Sequence, residues 1–346
     1  MRFLALLFCA LLLTACATQQ TSVKPIRIGV LASTSGPAAV YGNAFMVGVN
    51  KALDEINANG TRIEVIPEDN KNDPKEGVLA YQRMRLEDPD IIVSSMSGAT
   101  VSIAPLVKED GKPMIGTLTV APFQKDYDNS YRYFFSASDI GNALVDFCKA
   151  HNITRIGIYV TNSEAGLTVV NAAKEKLAAA GITVVAQEAY DPATTDHKTG
   201  LLKVTSQDPQ AIYVWAIRPD QVVADIKSSY TGPILFNEVV SISRFYLTDD
   251  RFEGTYVMAM PFATPGQNAK FNSLFGEQQN GYAAFGYDTM HMIDDALKNG
   301  TLATLPVAFG QRSNTGIVGA IQTEGARETH VPMKLLLVQN KTLVAP

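Results

Sequence analysis

The sequence predicts an α/β protein with two Rossmann-like lobes, each built on a parallel sheet with helices on both faces. From Pro25 onward, short β-branched runs alternate with longer amphipathic segments, which is the pattern of a helix-flanked parallel sheet. The alternation stops in a loop rich in Asp and Tyr and then restarts, so we expect a second lobe from about residue 138. The chain of 346 residues is long enough for two domains that each bury a core.

The first lobe begins with a strand, a turn and a helix. Residues 26–31 are predicted as a buried strand, 33–37 as a turn and 41–58 as a helix, which Asn59 and Gly60 end. The apolar face of this helix includes Phe45 and Val49. The rest of this half is predicted to form strands over 62–67, 90–94 and 114–116 and helices over 74–86 and 100–109, with the strand at 114–116 closing it.

The second half repeats the same alternation. Strands are predicted over 155–159, 182–189, 211–215, 233–236 and 255–260, and helices over 166–180, 198–206, 219–230 and 282–298. Residues 261–265, with a proline at each end, are predicted to be a linker that crosses between the lobes.

The amino terminus reads as a secretion signal. Met1 and Arg2 precede a short apolar run over 3–13, which is too short to span a membrane comfortably. The run ends in small residues before Cys16, which resembles a bacterial lipoprotein signal. We therefore expect cleavage after residue 15, acylation of Cys16 and a linker over 16–25. The alternative is an ordinary secretory signal with an incidental cysteine.

Composition and missing motifs exclude several function classes. With Cys9 removed and Cys16 acylated, only Cys148 remains, so no intramolecular disulfide is expected. The net charge of -5 disfavours a nucleic-acid partner. Catalytic motifs are missing from the sequence, and so are cofactor-binding motifs, which predicts a protein that is not an enzyme and binds no cofactor. Metal binding is not expected, because the histidines are widely scattered: His151, His197, His291 and His330.

Six motifs in a fixed order carry a family resemblance. They are IGVLASTSGPAAVYG at 28–42, ALDEIN at 52–57, EDNKNDPK at 68–75, SGAT at 97–100, PMIG at 113–116 and GYD at 286–288. Together they resemble the periplasmic binding proteins of fold type I, in particular the branched-chain amino acid and amide-binding transport receptors. The resemblance covers nearly the whole mature chain. It implies lobe 1 over 26–137 and 261–328, lobe 2 over 138–260 and 329–346, and a hinge of three crossings.

The same resemblance marks two departures. Where some members carry a disulfide, its cysteines would fall at about Asn72 and Met96, and both are absent together. Sugar-responsive repressors share this fold but carry a helix-turn-helix at the amino end, where this chain has its signal segment. The repressor function is therefore excluded.

The loop Ser97, Gly98, Ala99 and Thr100 is predicted to bind ligand. It leads from a strand end into a helix, and the free amides and positive end of that helix favour an anion such as an amino acid carboxylate. The alternative is that Ser97 or Thr100 only caps the helix.

Two further loops of the first lobe are expected at the cleft. The resemblance places Tyr41 against the ligand, with its hydroxyl available, although it could instead staple the turn before it. Thr117, Leu118 and Thr119 follow a strand and could add hydroxyls. The family often has a small residue and a threonine there, whereas this chain has Leu118 and Val120, so the ligand would be less polar or bulkier than usual.

The second lobe departs further from the family. At 163–166 it lacks the aromatic and Gly-x-Gly segment that commonly covers the ligand. Trp215 could replace that aromatic surface or belong to the core, and Arg218 could contact an acidic ligand or only solvent. Glu238 stands where an acidic residue of the amino acid receptors accepts the ligand ammonium. Its alternative role is to cap the turn near Ser241.

The resemblance implies a lipid-anchored solute-binding protein that closes on a small amino acid or amide and delivers it to an ABC permease. It would lie in the periplasm or on the cell surface, attached to the membrane only through lipid. Ala17 is not the aspartate that retains lipoproteins in the inner membrane, so in a Gram-negative cell we expect the outer membrane. The alternatives are an outer-membrane lipoprotein that regulates cell-wall synthesis or senses a ligand, and a hydrolase, against which the missing motifs count.

Overall fold

A computed structural model describes residues 24–263, 269–277, 279–305, 316–319, 322–324 and 327–346. The predicted signal peptide, Cys16 and most of the linker at 16–25 lie outside these residues, as does part of the predicted crossing at 261–265.

Seven strands form the first sheet, in the order β11-β12-β5-β4-β3-β1-β2. They are β1 Ile26–Ala32, β2 Ile63–Asp69, β3 Ile91–Ser95, β4 Met114–Thr117, β5 Ser130–Tyr133, β11 Gln322–Glu324 and β12 Glu328–His330. All neighbours are parallel except β11 and β12, which pair antiparallel at the edge. We call the half built on this sheet lobe 1.

Among the described residues, five helices belong to lobe 1: α1 Ala39–Ile56, α2 Pro74–Met84, α3 Ser97–Glu109, α9 Ala269–Phe275 and α10 Tyr282–Asn299. Helices α1 and α10 pack backbone against backbone. A Cβ on Gly48 would lie 1.9 Å from the Ala283 carbonyl oxygen, and one on Gly286 would lie 2.0 Å from the Phe45 oxygen. Only glycine permits such an approach, so these two positions fix how the two helices meet.

Seven more strands form the second sheet, in the order β14-β13-β10-β9-β8-β6-β7. They are β6 Arg155–Thr161, β7 Thr183–Tyr190, β8 Ala211–Trp215, β9 Ile234–Phe236, β10 Tyr256–Ala259, β13 Lys334–Gln339 and β14 Thr342–Val344. Strands β6 to β10 are parallel, whereas β13 and β14 are antiparallel to their neighbours. The helices that accompany the second sheet are α4 Ala137–Ala150, α5 Glu164–Ala179, α6 Lys198–Thr205, α7 Pro219–Ser229 and α8 Val239–Ile242. This half is lobe 2.

The predicted fold class is confirmed, and each predicted strand and helix occurs within a few residues of its predicted bounds. The prediction that the strand at 114–116 closes the first half was wrong, because β5 and β12 continue the sheet beyond it. Strand β5 is four residues long and lies in the segment predicted as an Asp- and Tyr-rich loop, where the polar neighbours obscure the hydrophobic pattern of a strand. Helix α4 was also missed, although Ser136 and Asp139 form a capping box at its start.

The exact division into lobes stays a proposal. Strand β12, Glu328–His330, belongs to the first sheet and runs two residues past the boundary predicted after residue 328. Helix α4 begins at Ala137, beside the boundary predicted after residue 137.

None of the helices in the described ranges is both long enough and apolar enough to cross a bilayer.

Candidate functional site

A cavity of about 510 Å³ lies at the carboxyl ends of the strands of both sheets. This is where open α/β sheets bind ligands, because the loops that leave the strands there are free to vary. Lobe 1 contributes Pro37, Ala38, Tyr41, Lys71, Asn72, Asp73, Pro74, Met96, Ser97, Gly98, Leu118, Val120, Phe134 and Tyr282. Lobe 2 contributes Asn162, Ser163, Glu164, Ala165, Pro192, Trp215, Ile217, Asn237, Glu238 and Val239.

The cavity brings together six of the ten residues that the sequence predicted to bind ligand. They are Tyr41, Ser97, Gly98, Leu118, Trp215 and Glu238. Their contact with a ligand stays a prediction. They line the same cavity although they come from distant parts of the chain.

The other four residues are buried behind the cavity wall. Ala99 lies in α3, and the Thr100 hydroxyl lies 2.9 Å from that of Ser94. Thr117 is the last residue of β4. Thr119 donates a 3.0 Å hydrogen bond to the Ser97 hydroxyl, so it positions a lining residue without lining the cavity itself.

Helix α3 starts at the cavity without a side-chain cap. Thr100 bonds to Ser94, and the Ser97 oxygen accepts from Thr119 and from the Val120 amide at 3.2 Å, so neither residue caps the helix as the alternative proposed. The first amides of a helix have no intrahelical acceptor. The positive end of α3, beside Ser97 and Gly98, can therefore hold an anion.

Two strained residues lie at the ends of neighbouring strands. Met96 after β3 has a φ of 71°, and Leu118 after β4 has a φ of 51°. Side chains of this size rarely adopt positive φ, and such conformations cost of order ~1–3 kcal/mol each. Both residues line the cavity, so the strained backbone lies in the loops that form the cavity wall.

Asn70 holds the strand ends of lobe 1 together, a role the sequence analysis missed. Its side-chain amide donates to the Ser95 and Leu31 carbonyls at 2.9 and 3.4 Å, and its oxygen accepts from the Ser33 hydroxyl at 2.5 Å. The residue is completely buried. This network connects β1, β2 and β3 directly behind the cavity.

Asp69 and Asp73, which lie near Asn70 in the sequence, act in turns and caps. Asp69 accepts the amides of Thr34 and Lys71 at 3.0 and 2.9 Å. Asp73 caps α2 by accepting the Lys75 amide at 2.8 Å. Both carboxylates are thus occupied by backbone amides, which does not suit the role of a catalytic acid or base.

Tyr41 connects the two lobes. Its hydroxyl donates to the Ile217 carbonyl and lies 3.1 Å from the Tyr246 hydroxyl, both in lobe 2. Its ring lies 5.1 Å from that of Tyr282, centroid to centroid. Burial raises the pKa of Tyr41 well above its usual value. Tyr41 lines the cavity, and its contact with a ligand stays a prediction. The hydroxyl, which was expected to be available, already has partners in lobe 2.

Arg218 does not line the cavity, and its guanidinium group is paired within lobe 2. It forms a salt bridge of 2.9 Å with Asp220, which also accepts a 3.3 Å hydrogen bond from Tyr246. The hydrogen bond to Asp220 raises the pKa of Arg218 above its already high value. Because this charge is matched within lobe 2, it is a poor candidate for an anchor of an acidic ligand.

Glu238 is a buried carboxyl group with no counter-charge beside it in the part of the chain that the structure describes. It is 2% exposed, its Oε1 lies 3.5 Å from the Tyr282 hydroxyl, and its Oε2 has no hydrogen-bond partner among the described residues. Burial raises the pKa of Glu238 to about 8. The side chain does not cap α8, and Ser241 bonds instead to the Glu238 backbone oxygen. The capping alternative is therefore wrong.

The segment before α5 lies opposite the start of α3. Ser163 caps α5 by accepting the Gly166 amide at 3.1 Å. A Cβ on Gly98 would lie 3.9 Å from the Cβ of Glu164, so the two helices begin close together across the cleft. With its own cap in place, α5 does not offer the open helix end that α3 does.

Two aromatic lining residues were missed by the sequence analysis. Phe134 follows β5, the strand that was not predicted, and Tyr282 begins α10. The segment before the GYD motif contains Tyr282, so that motif could have indicated it.

The sequence profile of the family described as "Periplasmic binding protein" matches residues 25–333. The chain belongs to this family. Among curated periplasmic binding proteins, a Leu/Ile/Val-binding protein of Rhizobium johnstonii is 26% identical over 203 residues, which cover 56% of this chain and 55% of the relative. A Leu/Ile/Val/Thr-binding protein of Salmonella typhimurium is 22% identical over 247 residues, which cover 67% of each chain. The chain thus spans about half to two thirds of the length of these relatives.

Solved structures of periplasmic binding proteins share the fold over nearly the whole length. A leucine binding protein from Thermotoga maritima superposes with a TM-score of 0.80 at 19% identity, covering 92% of this chain and 97% of that one. A solute binding protein of an ABC transporter from R. palustris, in complex with benzoate, gives 0.82 at 17% identity, covering 92% and 95%. These likenesses support the two-lobed fold of the chain.

Proposed function

We propose that this chain is a lipid-anchored extracytoplasmic receptor that captures an amino acid or amide-type ligand between its lobes for an ABC importer. One observation carries the proposal: one cavity is lined by a helix end from lobe 1 that has no side-chain cap, and by a buried carboxyl from lobe 2 that has one oxygen without a partner among the described residues. An anionic group suits the first and a cationic group suits the second. An α-amino acid carries both.

The carboxylate of the ligand would bind at α3. Ser97 and Gly98 line the cavity at its first turn, where the amides and the helix dipole favour a negative charge by about 0.3–1 kcal/mol, or up to ~2 kcal/mol when partly buried. The Ser97 oxygen already accepts two hydrogen bonds, so its own proton is available to donate to the ligand.

The ammonium of the ligand would bind at Glu238. A carboxylate that is removed from water and has no cationic partner is costly, and an ammonium group supplies that partner. The names of the curated relatives, which bind leucine, isoleucine, valine or threonine, agree with an amino acid as ligand. The benzoate complex of a structural relative shows that this fold also takes ring carboxylates.

A thermal-shift panel of amino acids, amides, short peptides and nucleosides tests the proposal. A ligand at a hundred times its dissociation constant stabilises a protein by about 2.7 kcal/mol, which is readily measured. Stabilisation by amino acids supports the receptor function. If no compound in the panel shifts the melting temperature, the regulatory or sensing lipoprotein becomes the better hypothesis. Permease and ATPase genes beside this one would favour transport.

Lipid anchoring has a separate test at Cys16. Each buried methylene contributes about 0.8 kcal/mol, so several acyl chains give a stable anchor. We expect Cys16→Ser to leave a folded protein that is released from the membrane fraction by a salt wash. Persistence of the variant in that fraction would contradict the lipid anchor without affecting the ligand-binding proposal.

A further inference from the structure

Glu238 is covered from both lobes. It follows β9 in lobe 2, and the Tyr282 hydroxyl at the start of α10 in lobe 1 lies 3.5 Å from its Oε1. The glutamate lines the cavity between the lobes, yet it is only 2% exposed. When lobe 1 moves away, Tyr282 moves with it, and water reaches the carboxyl group from the cleft. The burial of Glu238 on this side therefore depends on closure of the lobes.

The titratable groups that face Glu238 from neighbouring elements are phenols, in the part of the chain that the structure describes. Tyr282 approaches from α10, and Tyr213 on β8 interacts electrostatically with Glu238 from within lobe 2. Burial raises the pKa of each phenol well above its usual value, so both stay neutral across the neutral pH range. Neither phenol can carry a positive charge, so neither balances an ionised Glu238.

The charged residues around the cavity do not balance Glu238 either. Lys71 is the only basic residue among the described residues that line the cavity, and it pairs with Glu76 at 3.1 Å. The other acidic lining residues, Asp73 and Glu164, add negative charge. The closed cavity therefore contains a carboxyl group for which the protein supplies no cation.

An ionised Glu238 is stable in two situations. With the lobes open, water solvates the carboxylate, and with the lobes closed on a ligand, a cationic group of the ligand pairs with it. When the lobes close without a ligand, neither water nor a cation is at hand. The carboxyl group then avoids the cost of a buried charge by binding a proton, and burial raises the pKa of Glu238 to about 8.

We propose that a proton on Glu238 replaces the cationic group of the ligand when the empty lobes close, so that proton and ligand compete for this residue. The empty closed form is then favoured in acid and lost as pH rises, whereas the ligand-bound closed form persists. The proton dependence of the empty protein rests on Glu238 and Tyr282 alone. The competition with a ligand rests on the proposed function.

The sign follows from proton linkage. The closed empty form binds the proton more tightly than the open form, in which Glu238 has its ordinary value near 4.5, so a rise in pH favours opening. One proton changes the ratio of closed to open protein by at most about tenfold per pH unit, between about pH 5 and about pH 8. At neutral pH, a receptor without ligand is therefore biased against the closed form that a permease would meet.

Small-angle X-ray scattering of the ligand-free protein across this pH range tests the inference without any ligand. We expect the radius of gyration to be smallest near pH 5, to rise towards about pH 8 and then to level off. A radius that stays constant, or that falls as pH rises, would overturn the inference. Either result leaves the proposed function standing, because the measurement involves no ligand.

Two variants assign the response to one carboxyl group. Glu238→Gln supplies a neutral group of the same shape, so the folded variant should stay compact across the whole range. It retains His330 and Asp139, which lie 3.1 Å apart, so a pH response that came from this pair would persist in it. Glu164→Gln removes an exposed carboxylate of the same cavity and should open with pH as the native protein does. A folded Glu238→Gln protein that also opens with pH would overturn the inference.

Calorimetry of the native protein with L-leucine, in buffers of different ionisation enthalpy, adds a measurement that needs no variant. At about pH 6, we expect binding to release up to about one proton per leucine to the buffer, because the ammonium group takes its place on Glu238. At about pH 8.5, where Glu238 is ionised before binding, the release should be close to zero. Leucine binding without proton release at about pH 6 would overturn the competition. If leucine does not bind, that result counts against the proposed function, and the scattering series still decides the proton dependence.

Discussion

The two lobes present opposite kinds of surface to the same cavity. In lobe 1, the polar groups at the strand ends are engaged in a network through Asn70 and Ser97, and what remains open is the end of α3. In lobe 2, the main polar group is Glu238, which is buried and has an unpartnered oxygen. Lobe 1 is thus organised before ligand arrives, whereas lobe 2 contains a group whose environment is completed only by a ligand.

This difference predicts an unequal dependence on the two lobes. Glu238→Gln should remove a charge-assisted bond of ~1.5–3 kcal/mol, which weakens amino acid binding roughly ten- to a hundredfold. Ser97→Ala should cost less than about tenfold, since the amides of α3 remain. Calorimetry with the best amino acid of the panel measures both changes.

A matched control for Glu238 is Glu164, an exposed carboxylate that lines the same cavity. We expect Glu164→Gln to change affinity by less than about threefold, because an exposed charge is screened by water. Equal losses for both glutamates would indicate a general electrostatic effect of the cleft. Unchanged affinity in Glu238→Gln would leave this group structural and remove the asymmetry between the lobes.

The second prediction concerns pH. Burial raises the pKa of Glu238 to about 8, above its ordinary value near 4.5 in an unfolded chain. Between these values the folded, ligand-free protein holds a proton that the unfolded chain has lost, so stability should fall as pH rises from about 5 to about 8. The slope from one such group is at most about 1.4 kcal/mol per pH unit.

Denaturation curves of ligand-free protein across this range test the sign. Glu238→Gln should flatten the pH dependence relative to the native protein. Asp288, whose pKa is also raised by burial, is present in both proteins, so the difference between them reports on Glu238. Parallel curves for the two proteins would mean that Glu238 does not titrate as its surroundings indicate.

The third and smallest effect concerns the contact between the lobes. Tyr41→Phe removes the hydroxyl that donates to Ile217 in lobe 2, which should destabilise the closed form by ~0.5–1.5 kcal/mol. The fraction of open protein should rise several-fold, and small-angle scattering of ligand-free protein should give a larger radius of gyration.

Tyr81→Phe is the matched control, because the Tyr81 hydroxyl donates to Asp110 at 2.6 Å within lobe 1. It removes a comparable bond without touching the cleft. If both variants scatter like the native protein, Tyr41 does not help to close the lobes.

Local sequence patterns predicted the parts of the site that lie within one motif. The SGAT loop at 97–100 leads from a strand into a helix, and this local order placed Ser97 and Gly98 at the cavity. Leu118 and Glu238 follow strands in the same way. The rule that ligands bind at the carboxyl ends of parallel strands located these loops, and the family resemblance singled out Glu238.

Contacts between distant segments could not be predicted in this way. The partner of the Tyr41 hydroxyl lies 176 residues away, and no periodicity in the sequence connects the two positions. Phe134 was missed because β5 has only four residues in a polar stretch, and so gives too short a pattern. The four predicted residues behind the wall share loops with lining residues, and spacing alone does not separate the two groups.

The glycine contact between α1 and α10 has a mechanical consequence. Tyr41 lies in the first turn of α1 and Tyr282 is the first residue of α10, and both hydroxyls reach across to lobe 2. Because the two helices are in contact along their backbones, they form one rigid unit that contains both tyrosines. If lobe 2 swings away from this body, the two contacts break in the same movement. Opening would then be a cooperative, all-or-none event, and few molecules would be half open.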